Sequence, residues 1–194
     1  MLNEKDKDYW NRRMYMFYYQ YIDFLVRAFA SDAHRLLDVG TANTQYIENF
    51  EWIPEKFSLD IENPYQSPNV TAIEQDFFQY TPARDFDFVT CLQVLEHIPN
   101  VEDFAQKLLA ISDKVLISVP YMWPEGSEEG HIHDPINLDK VNRWMGREPS
   151  YYIIVEEPLR NPNTGKSKRL ICYYQKDKMN YGNAWKRLKI IIGE

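Results

Sequence analysis

An α/β domain with a mostly parallel sheet is what the sequence predicts, and three observations carry the prediction. Apolar runs at 36–39, 57–62, 70–75, 86–91 and 115–119 are separated by connections too long for two-residue hairpin turns. Three carboxylates, Asp38, Asp60 and Asp76, fall where these runs end, so polar groups gather at strand tips. The last two runs, at 151–156 and 168–175, flank the turn-forming stretch Asn161-Pro-Asn-Thr-Gly165 and read as an antiparallel hairpin.

Bulk properties bound the reading. A chain of 194 residues is long enough for one complete core and short for two. Hydrophobic residues at 44% and charged residues at 26% place it among globular chains and exclude extensive disorder. No apolar run reaches the length of a membrane span, and the first eight residues lack a signal peptide's apolar core, so a cytoplasmic location is expected. The net charge of −7 argues against a nucleic-acid partner. That charge is uneven: residues 160–189 carry nine Lys or Arg and one acid, a balance of +8, against −15 for the remainder. Such a basic end is a solvated surface, or it touches a phosphate-bearing substrate, an anionic surface or a partner.

Taken in order, the first element is a helix over 9–30. Trp10, Met14, Phe17, Tyr18, Tyr21, Leu25, Ala28 and Phe29 fall at steps of three and four, the spacing of one helix face. Next comes His34-Arg-Leu-Leu-Asp-Val-Gly-Thr-Ala-Asn-Thr44, which reads as a buried strand, a tight turn and a helix start. Free backbone N–H groups converge at such a turn, and Gly40 allows a bound molecule to approach the chain closely. Asp38 supplies a carboxylate beside it. Strands then follow at 56–62, 70–75 and 86–91, the last running into Leu92-Gln-Val-Leu-Glu-His97.

This series of strand-end motifs, above all Val94-Leu-Glu-His-Ile98 after a strand ending at Cys91, resembles the class I S-adenosylmethionine-dependent methyltransferases over about residues 34–175. The resemblance implies a three-layer Rossmann-like methyltransferase fold with a seven-stranded sheet that is mostly parallel and ends in an antiparallel hairpin. It implies S-adenosylmethionine as cofactor. Its binding residues would be Asp38 with Gly40, Thr41 and Asn43 of the turn, Asp60 and Ile61 for the ribose, Asp76 and Phe77 for the adenine, and the backbone of Leu92 and Gln93 for the methionine part. A carboxylate at the second strand's tip, 22 positions after Asp38, can accept hydrogen bonds from both ribose hydroxyls. Alternatively, Asp60 caps the turn at Asn63-Pro64. In the family's sheet order a strand separates Cys91 from Cys172, roughly 9 to 10 Å apart at the usual spacing, which excludes a disulfide.

One departure stands out. The family pattern places glycines at three alternate positions after the aspartate; here they are Gly40, Ala42 and Thr44. The same departure counts against a dinucleotide-binding loop, whose pyrophosphate needs the full glycine series. It also leaves open a module that binds the cofactor without catalysis, or a non-catalytic partner of another methyltransferase.

Beyond the fourth strand, Asn100 opens a helix with Asp103 as a capping-box variant and Val101, Phe104, Ala105, Leu108 and Ile111 as its buried face. After the fifth strand come sixteen aperiodic residues, 120–135, a length at which loops tend to be functional. This loop holds His131 and His133, and it starts on the sheet edge where open α/β sheets bind ligands. His131, His133 and His97 are the candidate catalytic residues. One of the loop histidines is expected to contact the acceptor, as general base if the acceptor is a hydroxyl; His97 alternatively fixes its turn through a backbone carbonyl. His131 and His133 share a face in an extended chain, with Glu128 and Glu129 nearby, but two histidines and mobile carboxylates are too weak a pattern to assign a metal. His133 and Asp134 would point opposite ways and form no pair. A helix at 137–145 ends at Gly146.

We therefore expect one domain over 1–194: a covering helix (9–30), a cofactor half (34–120), an acceptor loop and helix (121–150), a closing hairpin (151–176) and a basic tail (177–194). Its reaction is methyl transfer from S-adenosylmethionine to a small polar molecule. At subfamily level it is similar to bacterial enzymes that decorate sugars in capsule or O-antigen synthesis. Oligomeric state and O- versus N-methylation are not legible.

Overall fold

The computed structural model describes residues 10, 11 and 13–178. Seven strands form one sheet: β1 (Arg35–Val39), β2 (Glu55–Asp60), β3 (Val70–Glu74), β4 (Phe88–Leu92), β5 (Lys114–Pro120), β6 (Tyr151–Glu156) and β7 (Lys168–Gln175), in the order β3-β2-β1-β4-β5-β7-β6. Pairings from β3 through β5 are parallel, and β7 runs antiparallel to both β5 and β6. Because β7 is reversed, its first residues lie at the edge where the parallel strands end: Arg169 is in register with Pro120. Cys91 pairs with Ile117, which pairs with Cys172, so the two buried thiols are two strands apart and free, as expected.

Alternating side chains divide the core between two faces. On one, Leu37, Val89, Cys91, Val115 and Ile117 meet helices α2 (Val101–Ile111) and α3 (Leu138–Met145). On the other, Leu36, Phe88, Leu116, Ile171 and Tyr173 meet helix α1 (Phe17–Phe29). The layers are the three that a doubly wound sheet requires.

Three local expectations are corrected. The predicted helix over 9–30 is broken: Met16 is extended, and α1 starts at Phe17 with no cap from its own N-terminal side chains. Instead, Glu157, just after β6, accepts the backbone N–H of Phe17 and Tyr18 at 2.8 and 2.9 Å, neutralising two of the helix's orphan donors with a charge at its positive end. Its buried face is Tyr18, Tyr19, Ile22, Leu25, Val26 and Ala28, while Phe17 is 44% exposed. The helix expected after Gly40 is only a 3-10 segment, Tyr46–Asn49, within a 15-residue crossover whose first residues form the tight turn. Asn100 precedes α2 without a side-chain cap bond, so the Asn100/Asp103 capping box does not form. The α3 boundaries do hold: Asn137 Oδ1 accepts from Lys140 N–H at 2.9 Å, and Gly146 closes the helix at φ +64°.

No helix among the described residues is long and apolar enough to cross a membrane. Tyr9, Arg12 and the tail from 179 onward, including Trp185, lie outside the described residues.

Candidate active site

The strand tips surround a cavity of about 300 Å³. Its floor is the turn after β1. Gly40, at φ +76°, sits so close to the chain beyond β4 that a Cβ would lie 2.4 Å from Val94 Cγ2, so this glycine is fixed by packing as well as by conformation. Ala42 (φ +43°) and Asn43 (φ +58°) are also left-handed, a region side chains disfavour. Surrounding bonds hold them there: Ala42 N–H donates to Asp60 Oδ2 at 3.0 Å, Thr44 Oγ1 to the Thr41 carbonyl at 2.7 Å, and the Thr41 and Ser58 hydroxyls lie 3.0 Å apart. Alanine at the second glycine position of the family pattern is therefore a strained replacement.

Asp38 is buried in the cavity wall. Tyr46 and Thr90 both donate to its Oδ1, Thr90 at 2.7 Å, whereas Oδ2 has no partner among the described residues. Burial pushes this carboxyl up to about 7, against the two hydroxyls that pull it down. A buried acceptor facing the cavity suits a cationic ligand.

Asp60 stands at the tip of β2, but its own turns use it. Besides Ala42, Oδ1 accepts from the backbone of Glu62 and Asn63, both at 3.1 Å, so the turn-capping alternative describes contacts that form. Three bonds leave a carboxylate capacity for a further donor. Ile61 beside it is 64% exposed, an apolar surface at a strand tip. Asp76 makes an Asx turn to Phe78 N–H at 2.9 Å. Phe77 and Phe78 would point to opposite sides of an extended chain, so only one could wall the adenine; Phe77 is turned into the core at 4.6 Å from Phe104, and Phe78 is the exposed member of the pair. Asn43, Asp60, Ile61, Asp76 and Phe77 do not line the cavity; Asp38, Gly40, Thr41, Leu92 and Gln93 do. Gln93, held at φ +59°, anchors its backbone N–H to the Ser118 carbonyl at 2.8 Å and its side chain to Ser118 Oγ at 3.2 Å.

The opposite wall is made by two segments far apart in sequence. The 120–135 loop is fastened alongside residues 96–98: His97 Nδ1 meets the Gly130 carbonyl at 2.9 Å, Ile132 N–H donates to the Glu96 carbonyl at 3.0 Å, and His133 Nε2 meets the Ile98 carbonyl at 2.8 Å. His133 is thereby turned from the cavity against Trp144, which corrects its assignment as catalytic. His131 and His97 do line the cavity, edge to face at 4.8 Å.

His131 has a partner that extended geometry did not anticipate. The chain bends at His133, and His131 Nδ1 comes within 2.7 Å of Asp134 Oδ2, both side chains nearly inaccessible. Each imidazole therefore has Nδ1–H fixed by an oxygen, which leaves Nε2 as the nitrogen with a free lone pair. Burial lowers the His97 pKa, favouring the neutral ring. Close to both is Glu96, 1% exposed: no other described residue bonds either carboxylate oxygen, and burial pushes it up to about 8 against a smaller pull from its own backbone.

Glu96 carried no assignment in the sequence reading, although it adjoins His97. Arg169 was equally silent, since an arginine within β7 shows no periodic signal. Arg169 is 3% exposed, with its guanidinium over Tyr18 at 4.8 Å and Trp123 at 5.4 Å. Glu157 lies 3.9 Å away, and Nε and Nη1 have no hydrogen-bond partner among the described residues. With Arg160 it gives the cavity a basic side drawn from the basic end of the sequence.

Comparison with known proteins bears on the family and the fold. A family model described as "Methyltransferase domain" matches residues 10–185. The fold is similar to N-methyltransferase NodS from Bradyrhizobium japonicum WM9 in complex with S-adenosyl-L-homocysteine (TM-score 0.58, 11% identity, 80% of this chain and 85% of that one). It is similar to the plantazolicin methyltransferase BpumL, solved with a monoazolic desmethylPZN analog and S-adenosylhomocysteine (0.59, 13%, 89% and 90%). It also resembles the N-terminal domain of EvdMO1 with S-adenosylhomocysteine bound (0.56, 13%, 81% and 80%). No curated protein matches the sequence. A buried carboxylate acceptor near the end of β1 fits a cofactor that carries an ammonium and a sulfonium, and the chain belongs to the methyltransferase domain family as an S-adenosylmethionine-dependent methyltransferase.

Proposed function

We propose that the acceptor is a hydroxyl group of a small polar molecule that also carries an anionic group, of the kind found in sugar phosphates and nucleotide sugars. The observation that carries this reading is the His131–Asp134 pair on the cavity wall. An amine need only be neutral to accept a methyl group, whereas a hydroxyl must give up its proton. A histidine oriented by a buried carboxylate serves that second need.

The cofactor supplies an activated methyl group. The chain aligns the acceptor and excludes water, with the turn at Gly40 and the loop at 120–135 closing on opposite sides. With the cofactor bound, its sulfonium would supply the methyl group to the acceptor oxygen, and His131 Nε2 would take the hydroxyl proton. Asp134 holds the ring and stabilises its positive charge. The unused donors of Arg169 support the anionic group, because a guanidinium fork matches a carboxylate or phosphate.

The test is a panel in which nucleotide sugars, sugar phosphates and matched amines are offered with S-adenosylmethionine. Methylation at oxygen of a charged sugar derivative is expected. Transfer confined to amines, or to uncharged acceptors, would overturn the reading.

A further inference from the structure

Base catalysis by His131 leaves Glu96 unexplained: a carboxyl group buried at the cavity wall, with neither oxygen bonded by another described residue, within 4.8 Å of a ring nitrogen of each imidazole. We propose that Glu96, His97 and His131 bind one divalent transition-metal ion, and that this ion receives the acceptor's hydroxyl oxygen. The second half rests on the hydroxyl reading above; the first does not.

Geometry comes first. One ligating atom from each of the three residues lies within 4.8 Å of the others, and the burial grades from Glu96 inside, through His131, to the exposed His97. Bonds of about 2.0 to 2.2 Å to a shared ion require these atoms to draw in by about an ångström, within reach of side-chain rotation. The outer contacts are already of the kind that metal-binding histidines use. His97 presents Nδ1–H to the Gly130 carbonyl, and His131 presents Nδ1–H to Asp134, so both rings are oriented with Nε2 left to ligate.

The two segments are also held at a fixed spacing. Three loop contacts tie residues 130–133 to residues 96–98, and Gly130 is needed for one of them, since a Cβ there would lie 3.3 Å from His97 Nδ1. Two imidazoles and one carboxylate favour Zn²⁺, Mn²⁺, Fe²⁺ or Co²⁺ over Mg²⁺ or Ca²⁺, and three protein ligands leave positions open toward the cavity. With an ion in place His131 Nε2 is a ligand and no longer the base: the cation takes over activation of the hydroxyl by lowering its pKa, and the proton leaves to a water at the cavity mouth, so the metal replaces the base role given to His131 and keeps the hydroxyl acceptor.

The experiment uses the full chain stripped with a chelator. Co²⁺ is titrated in with visible absorption as the readout, and Zn²⁺ and Mn²⁺ binding is measured by calorimetry. We expect one ion per chain, with affinity lowered at least tenfold in each of Glu96→Gln, His97→Gln and His131→Gln, and within a few-fold of the parent in His34→Gln, an exposed histidine ahead of β1. S-adenosylhomocysteine binding by each variant reports that it is folded, and the three independent variants guard against loss of one. No binding, or binding that the three substitutions leave unchanged, overturns the site. Chelator-resistant methylation of a hydroxyl without metal binding would remove the ion and keep the hydroxyl reading, whereas a bound ion with only amines methylated would do the reverse.

Discussion

On the cofactor side of the cavity, the turn after β1 and the tip of β2 hold each other: Asp60 accepts from Ala42, Glu62 and Asn63, and little of the machinery comes from outside residues 38–63. On the acceptor side, Glu96 and His97 follow β4 while His131 arrives 34 residues after His97 on a loop that crosses back from β5. The first wall consists of local turns whose polar groups satisfy one another, apart from Asp38 Oδ2, which is left for the cofactor. The second brings together groups that do not: Glu96 has no side-chain partner, and the imidazoles are fixed only at Nδ1. The difference places stability on one wall and reactivity on the other, since groups left unmatched in a native fold are those a ligand completes.

The largest effect that sharpens the comparison comes from the second wall. His131→Ala is expected to lower turnover by about 10² to 10⁴ while S-adenosylhomocysteine affinity stays within a few-fold, read by steady-state kinetics and calorimetry. Equal losses in both would erase the distinction between the walls.

Next is the first wall. Asp60→Ala should weaken S-adenosylhomocysteine binding by roughly 1 to 3 kcal/mol, since charged hydrogen bonds and the Ala42 anchor go together. If affinity is unchanged, Asp60 serves only its turns. Tight binding of a nicotinamide dinucleotide in place of S-adenosylhomocysteine would displace the assignment of this wall altogether.

A smaller effect is expected from pH. Burial raises Asp38 to about 7, so the carboxyl is mostly neutral at pH 6 and mostly ionised at pH 8. The ionised form attracts the cofactor's ammonium, which stays protonated throughout. Affinity for S-adenosylhomocysteine should therefore rise with pH through this window, by up to about tenfold, and level off above it. Asp38→Asn should flatten the profile. Tyr46, Thr90 and Asp60 face the same carboxylate, and the Asn variant separates its titration from theirs.

The smallest effect concerns the strained alanine. Ala42→Gly relieves a left-handed conformation and adds freedom to the unfolded chain, opposing contributions of about 1 to 2 and about 0.4 to 1 kcal/mol. A net gain of roughly 0.5 kcal/mol is expected in denaturant unfolding. A loss would mean that the Ala42 methyl contributes packing that outweighs the strain.

The same contrast explains what could be read from the sequence. All seven strands are legible because each is an apolar run, and Asp38, Gly40, Thr41, Leu92 and Gln93 fall in the cavity because they sit at strand ends, where position along the chain fixes position in space. Phe77 misled because an aromatic after a strand-end aspartate looks the same whether it turns outward or, as here, onto Phe104. The His131–Asp134 pair was missed because two-residue alternation was assumed where the chain bends. Glu96 stood in plain view beside His97, but its meaning depends on His131, and nothing local to either segment announces the other.

The account rests on the cofactor's reactive end lying between these two walls, and a crystal structure of the full chain with S-adenosylhomocysteine tests that most directly. The predicted result places the ammonium near Asp38 Oδ2, the ribose hydroxyls at Asp60, and the sulfur facing Glu96 and His131 across the space left for the acceptor. A sulfur directed away from that cluster, or an ammonium bound away from Asp38, would contradict it.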